Sequence, residues 1–205
     1  MADIGTFQAF LDGLESQLAR MPQLYQLAFG GACCERAFPN YIAFSKAEHW
    51  GDPRIVRKAL DMVWDIIAGA KVEQARIKDL EKQCYAVTPD SDDFGSVLDT
   101  AGQEASIAIQ WLLRYCLEAD PKCGLRISRL QRDTIYGFVQ DEMELDPMDP
   151  TLDATIDAHP LMRQELQRQK EDLAHLQQAV DLSEFCRRAR KIEKSNIGLP
   201  SESVG

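Results

Sequence analysis

The string Cys34-Glu-Arg-Ala-Phe-Pro-Asn-Tyr41 places a thiol, a carboxylate, a guanidinium, an amide and a phenol close together in the chain. These side chains could line a pocket, with Cys34 as a nucleophile whose thiol pKa is lowered by Arg36 or by a helix N-terminus. Cys34 is predicted near a helix C-terminus, however, where the helix dipole opposes a thiolate. The sequence therefore favours an inert, buried Cys34 and a Glu35–Arg36 ion pair that locks this helix to a neighbour. The candidate ligand- or partner-binding residues are Cys34, Glu35, Arg36, Asn40 and Tyr41.

Other patterns that carry known chemistry are weak or missing in this sequence. Asp172 and His175 have the spacing nearest to a di-iron motif, but they fall on the polar side of a glutamine-rich helix and are interpreted as a solvated pair. The acidic run Asp146–Asp153 lacks the alternating aspartates and central glycine of a calcium loop. The chain contains no GxGxxG, GxxxxGK(S/T), HExxH or GxSxG motif. We therefore predict no catalytic residue, no metal site and no cofactor.

Composition and charge restrict the class of protein. The chain has 205 residues, is 45% hydrophobic and carries a formal net charge of −10. We expect a single helical domain over residues 1–198, followed by a frayed tail over residues 199–205. So acidic a chain is not expected to bind nucleic acid or an anionic membrane surface, because both interactions need clustered Lys and Arg.

The cysteines and the apolar segments predict a location. Six cysteines without a CxxC pair indicate reduced, buried thiols and hence a cytoplasmic protein. No stretch reaches the roughly 18 apolar residues of a membrane helix. The segment Met1–Arg20 carries acidic side chains among its apolar positions, which is unlike a secretory signal peptide. We therefore expect no membrane association.

Two segments are apolar around most of a helical wheel. In Ile55–Ile67 the charges occupy about a quarter of the circumference at about 100° per residue, and between Ala105 and Leu117 only three residues are polar. Helices of this kind are buried, so we expect Ile55–Ile67 and Phe94–Leu117 to pack against each other at the centre. Helical periodicity without any strand pattern predicts an all-α fold, a single compact multi-helix bundle of about eight or nine helices around these two.

Proline and glycine mark the expected breaks between helices. Pro39 is expected to end one helix and begin another. In Gly51-Asp52-Pro53 the glycine is expected to end one helix, the aspartate to cap the next and the proline to occupy its first turn. The pair Gly30-Gly31 inside a helix indicates close approach of a neighbouring helix, with a ligand-exposing kink as the alternative. The acidic segment Asp141–Asp157 contains two prolines and is expected to be a mobile surface segment.

The last helix, which begins near His159-Pro160, changes its apolar face partway. A first stripe consists of Leu166, Leu173, Leu176 and Val180. A second stripe, rotated by roughly 80–160°, consists of Leu182, Phe185, Ala189 and Ile192. One straight helix cannot present both stripes to one core, so either the helix kinks near Asp181–Ser183 or the second stripe meets another partner. Exposed apolar patches usually mark interfaces, and the second stripe is therefore the candidate oligomer interface of a homodimer.

Several motifs spread from about Leu24 to Gly198 point to one family. They are Cys34-Glu-Arg-Ala-Phe-Pro-Asn-Tyr41, Phe44, Gly51-Asp52, Leu60-Asp61, Trp64, Ser91-Asp-Asp-Phe94 and Ser195-Asn-Ile-Gly198. With these motifs the chain resembles the bacterial YjaG-like proteins, which form domain-of-unknown-function family 416. The resemblance implies a helical, cytosolic protein of Gram-negative bacteria. It implies no activity, because the family has no established one and no catalytic residues to carry over.

Three functions follow as hypotheses, in order of preference. The first is a non-enzymatic helical protein that acts by contact with an unknown protein partner or with a second copy of itself. The second is an enzyme or a small-ligand-binding protein with a pocket around Glu35, Arg36, Asn40 and Tyr41. The third, nucleic-acid binding through the basic run Arg187-Arg188-Ala-Arg190-Lys191, is disfavoured because such a run also suits the negative end of a helix dipole.

Overall fold

The computed structural model describes residues 6–178 and 181–202. Within these ranges the chain forms nine α-helices and no strand beyond an isolated bridge between Lys194 and Pro200, which confirms the all-α prediction. The helices are α1 (Phe7–Leu18), α2 (Gln23–Glu48), α3 (Pro53–Ile67), α4 (Gln74–Ala86), α5 (Asp99–Glu118), α6 (Lys122–Glu142), α7 (Leu152–Ala158), α8 (Pro160–Gln177) and α9 (Leu182–Ala189). None of these helices is both long and apolar enough to cross a lipid bilayer.

Helix α2, rather than α3, is the centre of the bundle. It packs against α3, α5, α6, α8 and α9, and every residue in the range 26–42 is buried. The expected break at Pro39 is wrong, because α2 continues through it. Pro39 offers no N–H to the Glu35 carbonyl, a defect that costs about 3 kcal/mol in a helix interior. Burial on all sides offsets this cost, and the N–H of Asn196 donates to the adjacent Arg36 carbonyl at 3.0 Å.

The two helices predicted to be central are present and pack against each other and on α2. At the start of α3 the signal Gly51-Asp52-Pro53 works as predicted, because the aspartate side chain accepts the N–H of Arg54 at 3.0 Å. Helix α5 begins at Asp99 rather than at Phe94. A short 3₁₀ helix, Ser91–Asp93, precedes α5.

The pair Gly30-Gly31 marks close helix packing, as predicted. A Cβ atom on Gly31 would lie 2.9 Å from the Cη2 atom of Trp64 on α3, and one on Gly30 would lie 2.9 Å from the Cδ1 atom of Leu112 on α5. Both distances are shorter than the optimal carbon–carbon separation of about 3.5–4.0 Å. Glycine at these positions therefore lets α3 and α5 pack directly on α2.

We expect Gly31→Ala to lower the free energy of unfolding by about 1–3 kcal/mol, the usual cost of overpacking a core. Gly137 of α6 is the matched control, because a Cβ atom there would meet no atom within 4 Å. Gly137→Ala should raise the free energy of unfolding by about 1 kcal/mol through helix propensity alone. Urea unfolding curves of both variants measure the difference, and equal stabilities would contradict the packing argument.

The acidic segment Asp141–Asp157 is only partly irregular. Helix α6 ends at Glu142, and α7 begins at Leu152 within the segment that the sequence predicts to be mobile. The side chains of Leu152 and Ile156 are buried, one helical turn apart. These two apolar residues anchor the second half of the segment to the core, so the prediction of a mobile segment is wrong for α7.

The chain after α9 forms a C-terminal strap, residues 190–202. Residues 195–197 are buried in it. The N–H of Ser201 donates to the carbonyl of Glu193 at 2.9 Å, which closes the strap into a turn. The tail over residues 199–205 is predicted to be frayed, but its described part makes backbone hydrogen bonds within the strap. The boundary of the single domain stays a prediction.

Candidate functional site

Arg36 lies at the centre of a buried polar network between α2 and α8. Its Nε donates to Glu165 at 2.9 Å, and its Nη1 donates to Asp172 at 2.7 Å. Side-chain exposure is only 6% for Arg36 and 0% for Glu165. Burial alone would lower the pKa of the guanidinium, but the negative charge around it outweighs burial and raises that pKa. Arg36 therefore carries a permanent charge inside the bundle.

The network extends to two further helices, to α6 from Glu165 and to α9 from Asp172. Gln169 donates to Glu165 at 2.9 Å and accepts a hydrogen bond from the hydroxyl of Ser128 on α6. On the opposite side, Arg188 of α9 approaches Asp172 at 3.6 Å. Polar side chains therefore connect α2, α6, α8 and α9 through one continuous set of contacts.

Glu35 points away from Arg36 and binds α3 instead. Its carboxylate accepts two hydrogen bonds from Arg57, at 2.7 and 2.8 Å, and one from the indole N–H of Trp64 at 2.7 Å. Arg57 also pairs with Asp61 at 3.0 Å. The predicted Glu35–Arg36 ion pair is therefore wrong. Consecutive residues of a helix do not face each other, so each of the two charges binds a different neighbouring helix.

Asn40 and Tyr41 bind other parts of the chain. The Asn40 amide donates to the Asn196 side chain at 2.7 Å, and Asn196 donates to Gln131 of α6 at 3.0 Å. The Tyr41 hydroxyl donates to the carbonyl of Val87, and burial raises the pKa of this phenol. Both side chains tie α2 to neighbouring segments rather than facing a shared pocket.

Cys34 has no exposed surface, and burial raises the pKa of its thiol well above the usual value. Such a thiol stays protonated at neutral pH and is out of reach of a dissolved substrate. The interpretation of Cys34 as a nucleophile is therefore wrong. The five predicted site residues share one helix but diverge from it, and only Arg36 among them lines a main surface cleft.

This surface cleft, the Arg36 cleft, lies between α8, α9 and the strap and has a volume of about 490 Å³. Cationic side chains outnumber anionic ones along it. The cations are Arg36, Arg168, Arg188, Lys191 and Lys194, and the anions are Glu171, Asp172 and Glu193. In the part of the chain that the structure describes, the side chains of Arg168, Lys191 and Lys194 make no ion pair. The cleft therefore combines a fixed, buried guanidinium with unpaired cations at its rim.

The stripe predicted to be an oligomer interface is used within the chain. The Phe185 ring is completely buried, 5.9 Å from the His175 ring between centroids, and Ala189 is also buried. Leu182 packs against the core while partly exposed, and Ile192 lines the Arg36 cleft. The prediction of an exposed apolar stripe is therefore wrong for Phe185 and Ala189, which α9 turns inward, whereas Leu182 and Ile192 are partly exposed.

The reason is a break in the helix at the place where the sequence indicated a kink. Helix α8 ends at Gln177, and Asp181 caps α9 by accepting the N–H of Ser183 at 2.9 Å. Val180, the last member of the first stripe, lies outside the described residues. The break lets α9 pack on α2. The homodimer stays a prediction, and the second apolar stripe no longer supports it.

Glu165 and Gln169 are the network residues that sequence reasoning missed. At about 100° per residue, Gln169 falls within the arc of α8 that carries Leu166, Leu173 and Leu176, and Glu165 falls about 20° beyond its edge. A polar residue inside an apolar stripe needs a buried partner, so this pattern could have revealed them. No local signal identifies the partner itself, since Arg36 and Glu165 are 129 residues apart in the chain.

Comparisons with known proteins identify relatives. Residues 13–200 match the family model described as "Protein of unknown function (DUF416)". The chain is 29% identical over 107 residues to the uncharacterized protein YjaG of Salmonella typhimurium and to that of Escherichia coli K12. Each match covers 51% of this chain and 53% of the relative, so the chain spans about half the length of the curated relatives it matches. The crystal structure of a DUF416 family protein from Shewanella baltica has the same fold, with a TM-score of 0.82 and 23% identity over 92% of this chain and 99% of that chain.

Proposed function

The chain belongs to the DUF416 family of proteins of unknown function, and from that starting point we propose that it is a non-enzymatic binding protein for a small anionic ligand. The ligand is a molecule that carries phosphate or carboxylate groups, and its site is the Arg36 cleft. One observation carries the proposal. A buried guanidinium, fixed by two carboxylates, lines a cleft whose other cations include three without an ion pair among the described residues.

The chemistry of arginine supports an oxyanion as the ligand. A planar guanidinium makes charge-assisted, paired hydrogen bonds to phosphate or carboxylate oxygens. In Arg36 the Nε and Nη1 atoms hold the carboxylates, whereas Nη2 has only the Cys33 sulfur at 3.5 Å. This is a weak hydrogen bond, so Nη2 retains capacity to donate. In a chain with a net charge of −10, unpaired cations around one cleft favour an anion there.

The groups along the cleft support binding rather than catalysis. Among the described residues, the polar side chains that line the cleft carry guanidinium, ammonium, carboxylate and amide groups, without a thiol, an imidazole or a hydroxyl. Burial raises the pKa of all six cysteine thiols, none of which forms a disulfide. A cytoplasmic location belongs to the same proposal, because unpaired thiols persist where reductants maintain them.

Calorimetric titration with inorganic pyrophosphate tests the proposal. We expect saturable binding that the double variant Arg168→Glu/Lys194→Glu weakens at least about tenfold, or about 1.4 kcal/mol, because both substitutions reverse a charge at the rim. Arg187→Glu is the matched control, since Arg187 does not line this cleft. Its affinity for pyrophosphate should stay within about twofold of the parent, a difference of only a few tenths of a kcal/mol. Citrate in place of pyrophosphate distinguishes a carboxylate ligand from a phosphate ligand.

Two results would contradict this function. One is the lack of saturable binding of either anion to protein whose circular dichroism shows the full helix content. The other is an equal loss of affinity in Arg187→Glu and in the double variant, which would indicate unspecific attraction by any basic residue rather than a site.

A further inference from the structure

A second cleft, the Trp64 cleft, opens on a different face of α9. Its volume is about 680 Å³, within the range of about 300–1,000 Å³ that is usual for small-molecule sites. Its apolar surface comes from the C-terminal end of α3 and from α9. The apolar residues that line it are Trp64, Ile67, Ala68, Leu182 and Cys186. Unlike the Arg36 cleft, this cleft has a hydrophobic floor.

One residue of this floor, Trp64, is held in place by Glu35 of α2. The indole N–H of Trp64 donates to Glu35 at 2.7 Å, and the opposite edge of the ring packs against Gly31. Glu35 is itself fixed by the two hydrogen bonds from Arg57. The tryptophan is therefore positioned before any ligand arrives, which reduces the entropy that binding would cost.

The rim of the Trp64 cleft is cationic. Arg187, Arg190 and Lys191 line it together with Asp65. Arg190 is held by Asp61 at 2.8 Å, but Arg187 and Lys191 make no ion pair with any described residue. An amphipathic anion complements this arrangement, because its chain removes apolar surface from water while its head group meets the unpaired cations.

We propose that the Trp64 cleft binds an aliphatic carboxylate of the fatty-acid type. The hydrocarbon chain lies on Ala68 and Leu182 beside the edge of the Trp64 ring, which is 3% exposed, and the carboxylate lies at Arg187. A nucleic acid or a wholly polar anion fits less well, because neither would cover the apolar floor. The two clefts share Lys191, but they can be tested separately, since Arg187 lines the Trp64 cleft and not the Arg36 cleft, and Arg168 lines the Arg36 cleft and not the Trp64 cleft.

Fluorescence of Trp64 tests the proposal directly. The chain has three tryptophans, so the variant Trp50→Phe/Trp111→Phe leaves Trp64 as the single reporter. We expect decanoate, kept below its micelle-forming concentration, to change the Trp64 emission saturably. Arg187→Glu should weaken decanoate at least about tenfold, whereas Arg168→Glu should change its affinity less than about twofold. Decanol, with the same chain and no charge, should bind at least about fivefold more weakly than decanoate.

Alkylation of Cys186 provides a second readout with the natural tryptophans in place. Cys186 lines the Trp64 cleft and is partly exposed, whereas Cys116 is partly exposed elsewhere. Decanoate should slow the alkylation of Cys186 and leave that of Cys116 unchanged.

Three outcomes would overturn the proposal. The first is the lack of a saturable change in either readout, and the second is decanol binding as tightly as decanoate. The third is a dimer in sedimentation that Arg187→Glu converts to a monomer, because the cleft would then be filled by a second copy of the chain.

Discussion

Replacing Arg36 by methionine is expected to lower the free energy of unfolding by about 3–5 kcal/mol, the cost of removing one partner from a buried ion pair. Glu165 would keep its negative charge with 0% side-chain exposure, and Asp172 would lose its contact at 2.7 Å. The remaining hydrogen bond to Glu165, from Gln169, cannot neutralise that charge. Urea unfolding with linear extrapolation measures the loss.

The control for this prediction is Arg54→Met. Arg54 is also paired with an aspartate, Asp52, but its side chain is 73% exposed, so the loss should stay below about 1 kcal/mol. The double variant Arg36→Met/Glu165→Gln should recover part of the stability, because glutamine leaves no buried charge. A loss below 1 kcal/mol in Arg36→Met, or no recovery in the double variant, would show that the network contributes little to stability.

Phe185→Ala is expected to lower the free energy of unfolding by about 3–5 kcal/mol, as is usual for a buried phenylalanine. Its ring is completely buried and contacts the His175 ring, so truncation leaves a cavity between α9 and the core. Loss of this packing should also loosen α9, which lines both clefts, so the amides of α9 should exchange faster with deuterium. Urea unfolding and hydrogen exchange measure the two effects.

Tyr85→Ala is the control for an aromatic side chain at the surface, because Tyr85 is 75% exposed and its removal should change stability by no more than about 0.5 kcal/mol.

Sedimentation of Phe185→Ala separates the two roles considered for Phe185, which are packing on the core and contact with a second copy of the chain. A folded variant of unchanged stability that has lost a dimer would restore the interface interpretation and reject the packing described for α9.

The local features of the fold could be predicted from the sequence, because they depend on residues close together in the chain. The apolar wheel of Ile55–Ile67, the cap at Asp52 and the break near Asp181 all appear in the structure. Each rests on periodicity or on a side chain that bonds a backbone N–H two residues away. Such signals need no knowledge of the rest of the molecule.

The arrangement of helices and the site could not be predicted in this way, because they depend on distant partners. Pro39 has a strong local preference to end a helix, but tertiary burial of α2 outweighs it. The types of residue around Arg36 indicated a polar cluster, yet its partners Glu165 and Asp172 lie 129 and 136 residues away. The sequence predicts Phe185 on an exposed stripe because it does not show which face of α9 packs on the core.

The strap has a consequence for the order in which the molecule forms. Asn40, in the middle of α2, finds its partner Asn196 only 156 residues later in the chain. Contacts between such distant positions require closure of a long loop and are therefore slow to form. During synthesis α2 can become helical long before Asn196 exists, but the Asn40 amide and the Arg36 carbonyl must wait for the strap. Packing of the strap is therefore a late step of folding, and a nascent chain that has not yet reached Asn196 holds an incomplete core.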